Sequence, residues 1–229
     1  MEIVRDVKID LTMDDLLRVH GVGQAKNKIN KKALDNYRQL LDEALNLIDP
    51  VYIYRSLSVA EVGENHLTVE TGHRFGVHIM AKLMRTATRV YFMCCTIGPR
   101  LEQRVAEYRA NGFPAKAYIL DSIGSLAVDM LALEGCRMVE EIAEAEGLSS
   151  SVALSPGYLG WELTDQRKLF QILEPSKIGV SLTDTCIMTP LKSTTQAIGL
   201  GPGLGGKSKV TCDYCSLKAR CNFRKSKAS

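Results

Sequence analysis

Residues 114–133 read PAKAYILDSIGSLAVDMLAL, and this stretch decides the fold of the chain. Apolar side chains surround most of it, so the spacing predicts a long, buried helix over about 114–145. Asp121, Ser125 and Asp129 follow one another at intervals of four residues and therefore share one face of that helix. Polar groups on a buried helix need partners. Asp121 and Ser125 therefore line a ligand cleft, or the polar face pairs with a basic residue or lies at a solvated edge.

Shorter elements precede and follow the long helix. We expect helices over 13–20, 28–48, 77–86, 99–110 and 164–173, and strands over 51–62, 66–71, 89–97, 151–154 and 178–182. This order predicts an α+β fold in which helices flank a mainly antiparallel sheet. No composition break divides residues 1–198, so we expect one domain there, with a helical N-terminal part over 1–50. A glycine-rich linker and a basic cysteine tail follow over 199–229.

Composition and charge exclude several classes of protein. The chain has 29 Lys and Arg against 26 Asp and Glu, a formal net charge of +3, which excludes a general polyanion binder. Basic residues concentrate from Lys207 onward, so an electrostatic partner surface belongs to the tail. The rest of the chain is acidic on balance, which argues against nucleic-acid binding.

Targeting signals and cysteine usage indicate the compartment. No apolar stretch reaches the roughly 20 residues of a bilayer span, and the first residues are charged where a signal peptide would be apolar. We therefore expect no membrane association. Seven cysteines without an export signal favour reduced thiols or metal ligands in the cytoplasm.

Residues 154–161 read LSPGYLGW and form a second candidate site. The Pro-Gly pair predicts a tight turn, and glycine lets a ligand approach the backbone closely. Tyr158 and Trp161 add large flat surfaces that also form hydrogen bonds. Two interpretations remain open. The aromatic residues close a core, or they line a ligand site together with Ser155, Pro156 and Gly157.

The third candidate site is a cysteine cluster in the tail. Cys212 and Cys215 are spaced to bind one metal from a tight turn, and Cys221 suits a knuckle or a cluster loop. Three ligands leave a four-coordinate site one short, so Cys186 or a ligand from a partner is expected to complete it. The spacing does not distinguish an iron–sulfur cluster from zinc, and incidental thiols are the alternative.

Taken together, several segments resemble the activation domain of cobalamin-dependent methionine synthase, which binds S-adenosylmethionine. The resemblance is closest to free-standing forms with a cysteine-bearing tail, and it covers about residues 80–198. The matching segments are Thr96-Ile97-Gly98, residues 117–125, Ser155-Pro156-Gly157-Tyr158, residues 165–170, residues 178–183, and Met188, Pro190 and Ser193.

The resemblance implies a curved sheet whose concave face meets a corrinoid-carrying domain. It also implies reductive reactivation, in which an oxidised Co(II) corrinoid takes an electron from flavodoxin or ferredoxin and a methyl group from S-adenosylmethionine traps the Co(I) product. The cobalamin is carried by a partner, a corrinoid-binding methyltransferase subunit. The turn of residues 156–158 matches the part of the family motif that lines the S-adenosylmethionine site.

The chain departs from the family pattern at Ala153, where members usually carry an arginine that binds the methionyl carboxylate. Two hypotheses follow. Another cation, such as Lys192 or Arg167, replaces this arginine. Alternatively, the protein has lost S-adenosylmethionine binding and serves as a non-catalytic iron–sulfur docking or electron-transfer module for a corrinoid protein.

Overall fold

A computed structural model describes residues 1–22, 30–158, 160–205, 211–214 and 219–221 of the chain. Its helices are α1 (Met13–Val19), α2 (Lys31–Leu47), α3 (His78–Leu83), α4 (Arg100–Ala110), α5 (Pro114–Ala145) and α6 (Gln166–Leu173). Its strands are β1 (Glu2–Arg5), β2 (Val51–Val62), β3 (Leu67–Val69), β4 (Arg74–Phe75), β5 (Arg89–Thr96), β6 (Ser149–Ser150), β7 (Ser181–Leu182), β8 (Met188–Thr189) and β9 (Ser193–Gly201). No helix in these ranges is long and apolar enough to cross a membrane.

The main sheet has the strand order β4-β3-β2-β5-β9-β6, and β1 pairs with the first part of β2. Every neighbouring pair of described strands is antiparallel. Strand β5 is central, because β2 pairs with it along one side and β9 along the other. Strands β7 and β8 form a separate hairpin. The structure thus confirms the predicted α+β fold with a mainly antiparallel sheet and flanking helices.

Alternation along β5 divides the core between the two faces of the sheet. Val90, Phe92 and Cys94 join one cluster, to which α3 and α6 contribute. Met93 and Cys95 join the other, built with α1, α2, α4 and α5. Burial raises the pKa of the Cys94 thiol to about 12, so this thiol stays protonated and packs as an apolar group.

Helix α5 has the bounds that the sequence predicts. Pro114 occupies its first turn, where a missing N–H costs little. Gly124 and Gly135 bring the helix close to its neighbours. A Cβ atom at Gly124 would lie 2.7 Å from Leu101 Cδ2, and one at Gly135 would lie 2.1 Å from Met93 Sδ. The helix therefore packs closely over β5 and α4.

Strand β9 is the main element that the sequence does not predict. The boundary expected at 198 lies inside it, and residues 199–201 belong to the sheet instead of a linker. Its polar side chains are buried because they find specific partners. Ser193 Oγ donates to Thr96 Oγ1 at 2.9 Å and Thr195 Oγ1 donates to Gln166 Oε1 at 2.8 Å. The division of the chain into a domain and a tail stays a prediction.

Two shorter strands also differ from expectation. The strand expected over 151–154 is displaced to β6 (Ser149–Ser150), and Leu154 keeps only an isolated bridge to Ala197. The segment expected to be extended from 178 begins in a 3-10 helix, Pro175–Ile178, and only Ser181–Leu182 pairs as a strand. Gly179 follows that helix with a left-handed backbone, which interrupts an extended strand over 178–182.

Candidate functional site

The turn of residues 155–158 follows the Leu154–Ala197 bridge and so begins beside β9, on the side of that strand where β6 also pairs. Backbone hydrogen bonds close it on itself. The Gly157 N–H donates to Trp161 O at 2.8 Å, and the Trp161 N–H donates to Tyr158 O at 2.7 Å. Gly157 has φ +91°, a left-handed conformation that suits glycine. The predicted Pro-Gly turn is therefore present, and backbone conformation explains its glycine.

The outer surface of this turn is open. Tyr158 is 41% exposed and Gly157 is exposed, whereas Ser155 is half-buried and Pro156 is buried. A Cβ atom at Gly157 would have Leu163 Cδ1 as its nearest neighbour, at 3.8 Å. Leu163 is itself 42% exposed, and no local pattern in the sequence indicates it, because its position depends on how the turn folds. The turn thus offers an aromatic ring, an apolar side chain and accessible backbone to a flat ligand.

Trp161 lies beneath the turn. It is 2% exposed, and its ring meets Phe75 edge to face at a centroid distance of 5.8 Å. Its Nε1 donates to Asp165 Oδ2 at 3.0 Å, which satisfies its single donor. Of the two interpretations of the aromatic residues, core closure applies to Trp161. Its ring supports the turn and offers almost no surface to a ligand.

Asp121 and Ser125 have a basic partner. Lys192 Nζ lies 3.1 Å from Asp121 Oδ1 and donates to Ser125 Oγ at 2.9 Å. The Lys192 side chain is only 13% exposed, and its stem passes over Gly124, where a Cβ atom would lie 3.3 Å from Lys192 Cγ. Asp121 and Ser125 on the polar face of α5 therefore pair with a basic residue, which is the alternative to lining a ligand cleft.

This paired group and the turn belong to different sides of the sheet. Helix α5 packs in the cluster that contains Met93, whereas Trp161 packs in the cluster that contains Phe92. The sheet therefore lies between α5 and the core beneath the turn. Of the residues predicted to bind a cofactor, the structure groups Ser155, Pro156, Gly157 and Tyr158 together, and it does not bring Asp121 and Ser125 into that group.

The two cations predicted to replace the missing arginine differ in their partners. Lys192 is held by the Asp121 carboxylate. Arg167, at the start of α6, donates through Nη2 to the carbonyl oxygen of Asp184 at 2.6 Å and is exposed. Among the described residues no carboxylate pairs with Arg167, so its guanidinium retains the ability to bind the carboxylate of a ligand. Ala153 is half-buried and packs against the cluster around Tyr91 and Ile198.

The predicted metal site is only partly within the described residues. Cys215 lies outside them, whereas Cys212 and Cys221 are half-buried. Cys186 is 3% exposed and lies between β7 and β8 with φ +62°. Within the described ranges no three His, Cys, Asp or Glu side chains form a group that could hold a metal ion. Cys186 is therefore not grouped with Cys212 and Cys221, and a metal site in the tail stays a prediction.

Comparisons with known proteins give a likeness in fold. No protein-family profile matches the chain, and no curated protein matches it. A solved structure that does match is described as the crystal structure of the MetH reactivation domain bound to AdoHcy. It superposes with a TM-score of 0.61 at 16% sequence identity, over 93% of this chain and 82% of that one. The chain therefore has the fold of that reactivation domain.

Proposed function

We propose that this protein binds S-adenosylmethionine at the turn of residues 155–158 and takes part in the reductive reactivation of a corrinoid-dependent methyltransferase, with methionine synthase as the first candidate. The observation that carries the proposal is the exposed Tyr158 ring on an open Pro-Gly turn. The fold supports it, because a reactivation domain of the same fold is solved with AdoHcy bound. The ordered sequence segments that resemble the methionine synthase activation domain support it independently.

The turn has the chemistry that a sulfonium ligand needs. The face of the Tyr158 ring attracts a cation, and a sulfonium is a cation that cannot be neutralised by losing a proton. A Cβ atom at Gly157 would have no neighbour closer than Leu163 Cδ1 at 3.8 Å, an ordinary van der Waals distance, so a ligand can approach the backbone there. Methyl transfer to a reduced cobalt depends on alignment of donor and acceptor, without side-chain acid–base catalysis. The contribution of this chain is to hold and orient the methyl donor.

The remaining components of the reaction come from other proteins. Cobalamin is carried by a corrinoid-binding subunit, and a ferredoxin or flavodoxin supplies the electron, in the cytoplasm. Within this chain we assign binding of the methionyl carboxylate to Arg167, because Ala153 occupies the position where members of the methionine synthase activation domain family usually carry an arginine. Arg167 keeps its charge available, whereas Lys192 is already paired with Asp121.

Calorimetry with S-adenosylmethionine and S-adenosylhomocysteine tests the proposal. Replacing Tyr158 by Ala should weaken S-adenosylmethionine binding by about 2- to 30-fold, the range of one cation–π contact. The free energy of unfolding should stay unchanged, since the ring is exposed. Tyr118→Ala, which removes a tyrosine that is 64% exposed on α5, is the matched control and should bind normally.

Further measurements separate the parts of the proposal. Arg167→Gln should weaken both ligands equally, because both carry the methionyl carboxylate, whereas Tyr158→Ala should weaken the sulfonium ligand more. No binding at millimolar ligand, with or without a corrinoid partner, would remove the methyl-donor role. An equal loss in Tyr118→Ala would show that the turn is not the site.

The second candidate function is an iron–sulfur docking or electron-transfer module that does not bind S-adenosylmethionine. Ala153 and the half-buried Cys212 and Cys221 favour it. Anaerobic purification should then yield iron and a visible absorption that bleaches on reduction. A colourless protein that binds S-adenosylmethionine contradicts this alternative.

A further inference from the structure

A groove of about 260 Å³ lies between the end of α3 and the segment that follows β9. None of its described lining residues belongs to the turn of residues 155–158. The side chains and backbone that carry the argument are Lys82, Arg85, Val152, Gly203, Leu204 and Tyr214. Its volume is below the roughly 300–1,000 Å³ of typical drug-sized sites. The groove is therefore too small to enclose a drug-sized ligand completely.

The charge of the groove selects an anion. Lys82 lies in the last turn of α3 and Arg85 follows the helix, and both side chains are exposed. The described lining contains no Asp or Glu, so these two positive charges are uncompensated within it. A neighbouring cavity of about 520 Å³ shares both cations, but its lining includes Glu64. An anionic group is therefore better stabilised in the smaller groove.

The walls of the groove favour a flat apolar group beside the anion. Tyr214 is half-buried and packs against the core cluster that includes Phe92. Val152 and Leu204 are each 7% exposed and provide a rigid apolar surface. Gly203, with φ +68°, would have nothing within 4 Å of an added Cβ atom, so the backbone there is open. A planar ring can stack on Tyr214 while a negative group reaches the cations.

We propose that this groove binds a nucleoside monophosphate, with the base against Tyr214 and the phosphate at Lys82 and Arg85. Two cations for the phosphate and an aromatic wall for the base line the same groove, and these are the contacts that this ligand class uses. The groove is a second ligand site, and its occupancy does not depend on the methyl-donor site at Tyr158.

Calorimetry with AMP on the full chain tests the proposal, with inorganic phosphate and adenosine as separate probes. AMP should bind more tightly than either fragment, because it engages the ring and the cations together. The double variant Lys82→Gln/Arg85→Gln should lose about 10-fold or more in AMP affinity, as expected when charge-assisted hydrogen bonds are removed. Tyr214→Ser should weaken AMP and leave phosphate binding unchanged.

The double variant Arg100→Gln/Arg109→Gln is the matched control, because it removes two exposed charges from α4, whose residues do not line the groove. It should bind AMP normally, and thermal unfolding should confirm that all variants are folded. Absence of AMP binding at millimolar concentration, equal affinity for phosphate and AMP, or equal losses in the two double variants would overturn the proposal. Tyr158→Ala should keep AMP binding, so failure of either site is recognised separately.

Discussion

The pairing of Asp121 with Lys192 makes a prediction that separates a structural role from a ligand-binding one. Replacing Asp121 by Asn removes the negative charge beside an ammonium that is 13% exposed, and leaves Ser125 Oγ and a neutral amide oxygen as its acceptors. Hydrogen bonds to charged groups contribute about 1.5–3 kcal/mol. Asp121 is 41% exposed, so solvent screening lowers the effect. We expect the free energy of unfolding to fall by about 1–2 kcal/mol.

Replacing Lys192 should lower the free energy of unfolding less than replacing Asp121. Lys192→Met keeps an apolar stem over Gly124 and leaves Asp121 accessible to water, so the loss should stay below about 1 kcal/mol. The double variant should be no less stable than Lys192→Met alone, because no uncompensated charge remains. Asp35→Asn is the control, since it breaks a surface pair with Arg38 in which both side chains are well exposed.

Urea denaturation followed by circular dichroism measures the four variants and the wild type, and equal m-values would show that only stability changes. Unfolding of Asp121→Asn at the wild-type urea concentration would contradict a structural role for this pair. Unchanged stability together with a loss of S-adenosylmethionine binding would also contradict it, because Asp121 would then be a ligand contact.

Two further predictions concern the core and the response to acid. Trp161→Ala should reduce the free energy of unfolding by about 3–5 kcal/mol, the cost of removing a large aromatic side chain from a core. If this variant were as stable in urea as the wild type, Trp161 would not be a core residue. Burial acts to raise the pKa of Glu43, but hydrogen bonds from Tyr108 and Arg104 outweigh it and hold the pKa below its ordinary value of 4.5. The stabilisation from Glu43 is therefore present above pH 4.5 and is lost as the pH falls through the lower pKa of the folded state. Thermal unfolding should lose stability in this acidic range in the wild type and less in Glu43→Gln; an identical pH dependence in both proteins would contradict this assignment.

The candidate site shows where local sequence reasoning succeeds. The turn at Pro156 and Gly157 follows from the conformations that these two residues adopt within a few bonds of one another. The exposure of Tyr158 and the burial of Trp161 do not follow in this way. They depend on Phe75, which reaches the same core from a distant strand and meets Trp161 edge to face. The sequence therefore presents two equivalent aromatic candidates, and packing distinguishes them.

Elements that are stabilised by interactions within one segment follow from the sequence alone. Helix α5 has the predicted bounds because its apolar spacing, its starting proline and its length all act within the segment. In contrast, the formation of β9 and the pairing of Asp121 with Lys192 depend on tertiary contacts. Ser193 and Thr195 have side chains typical of a loop, and they are buried in a strand because they form hydrogen bonds with Thr96 and Gln166. Asp121 has the features of a ligand contact in the sequence, but in the structure it pairs with Lys192. A polar group is stable in a core only when a distant partner is in place, and chain folding alone brings such partners together.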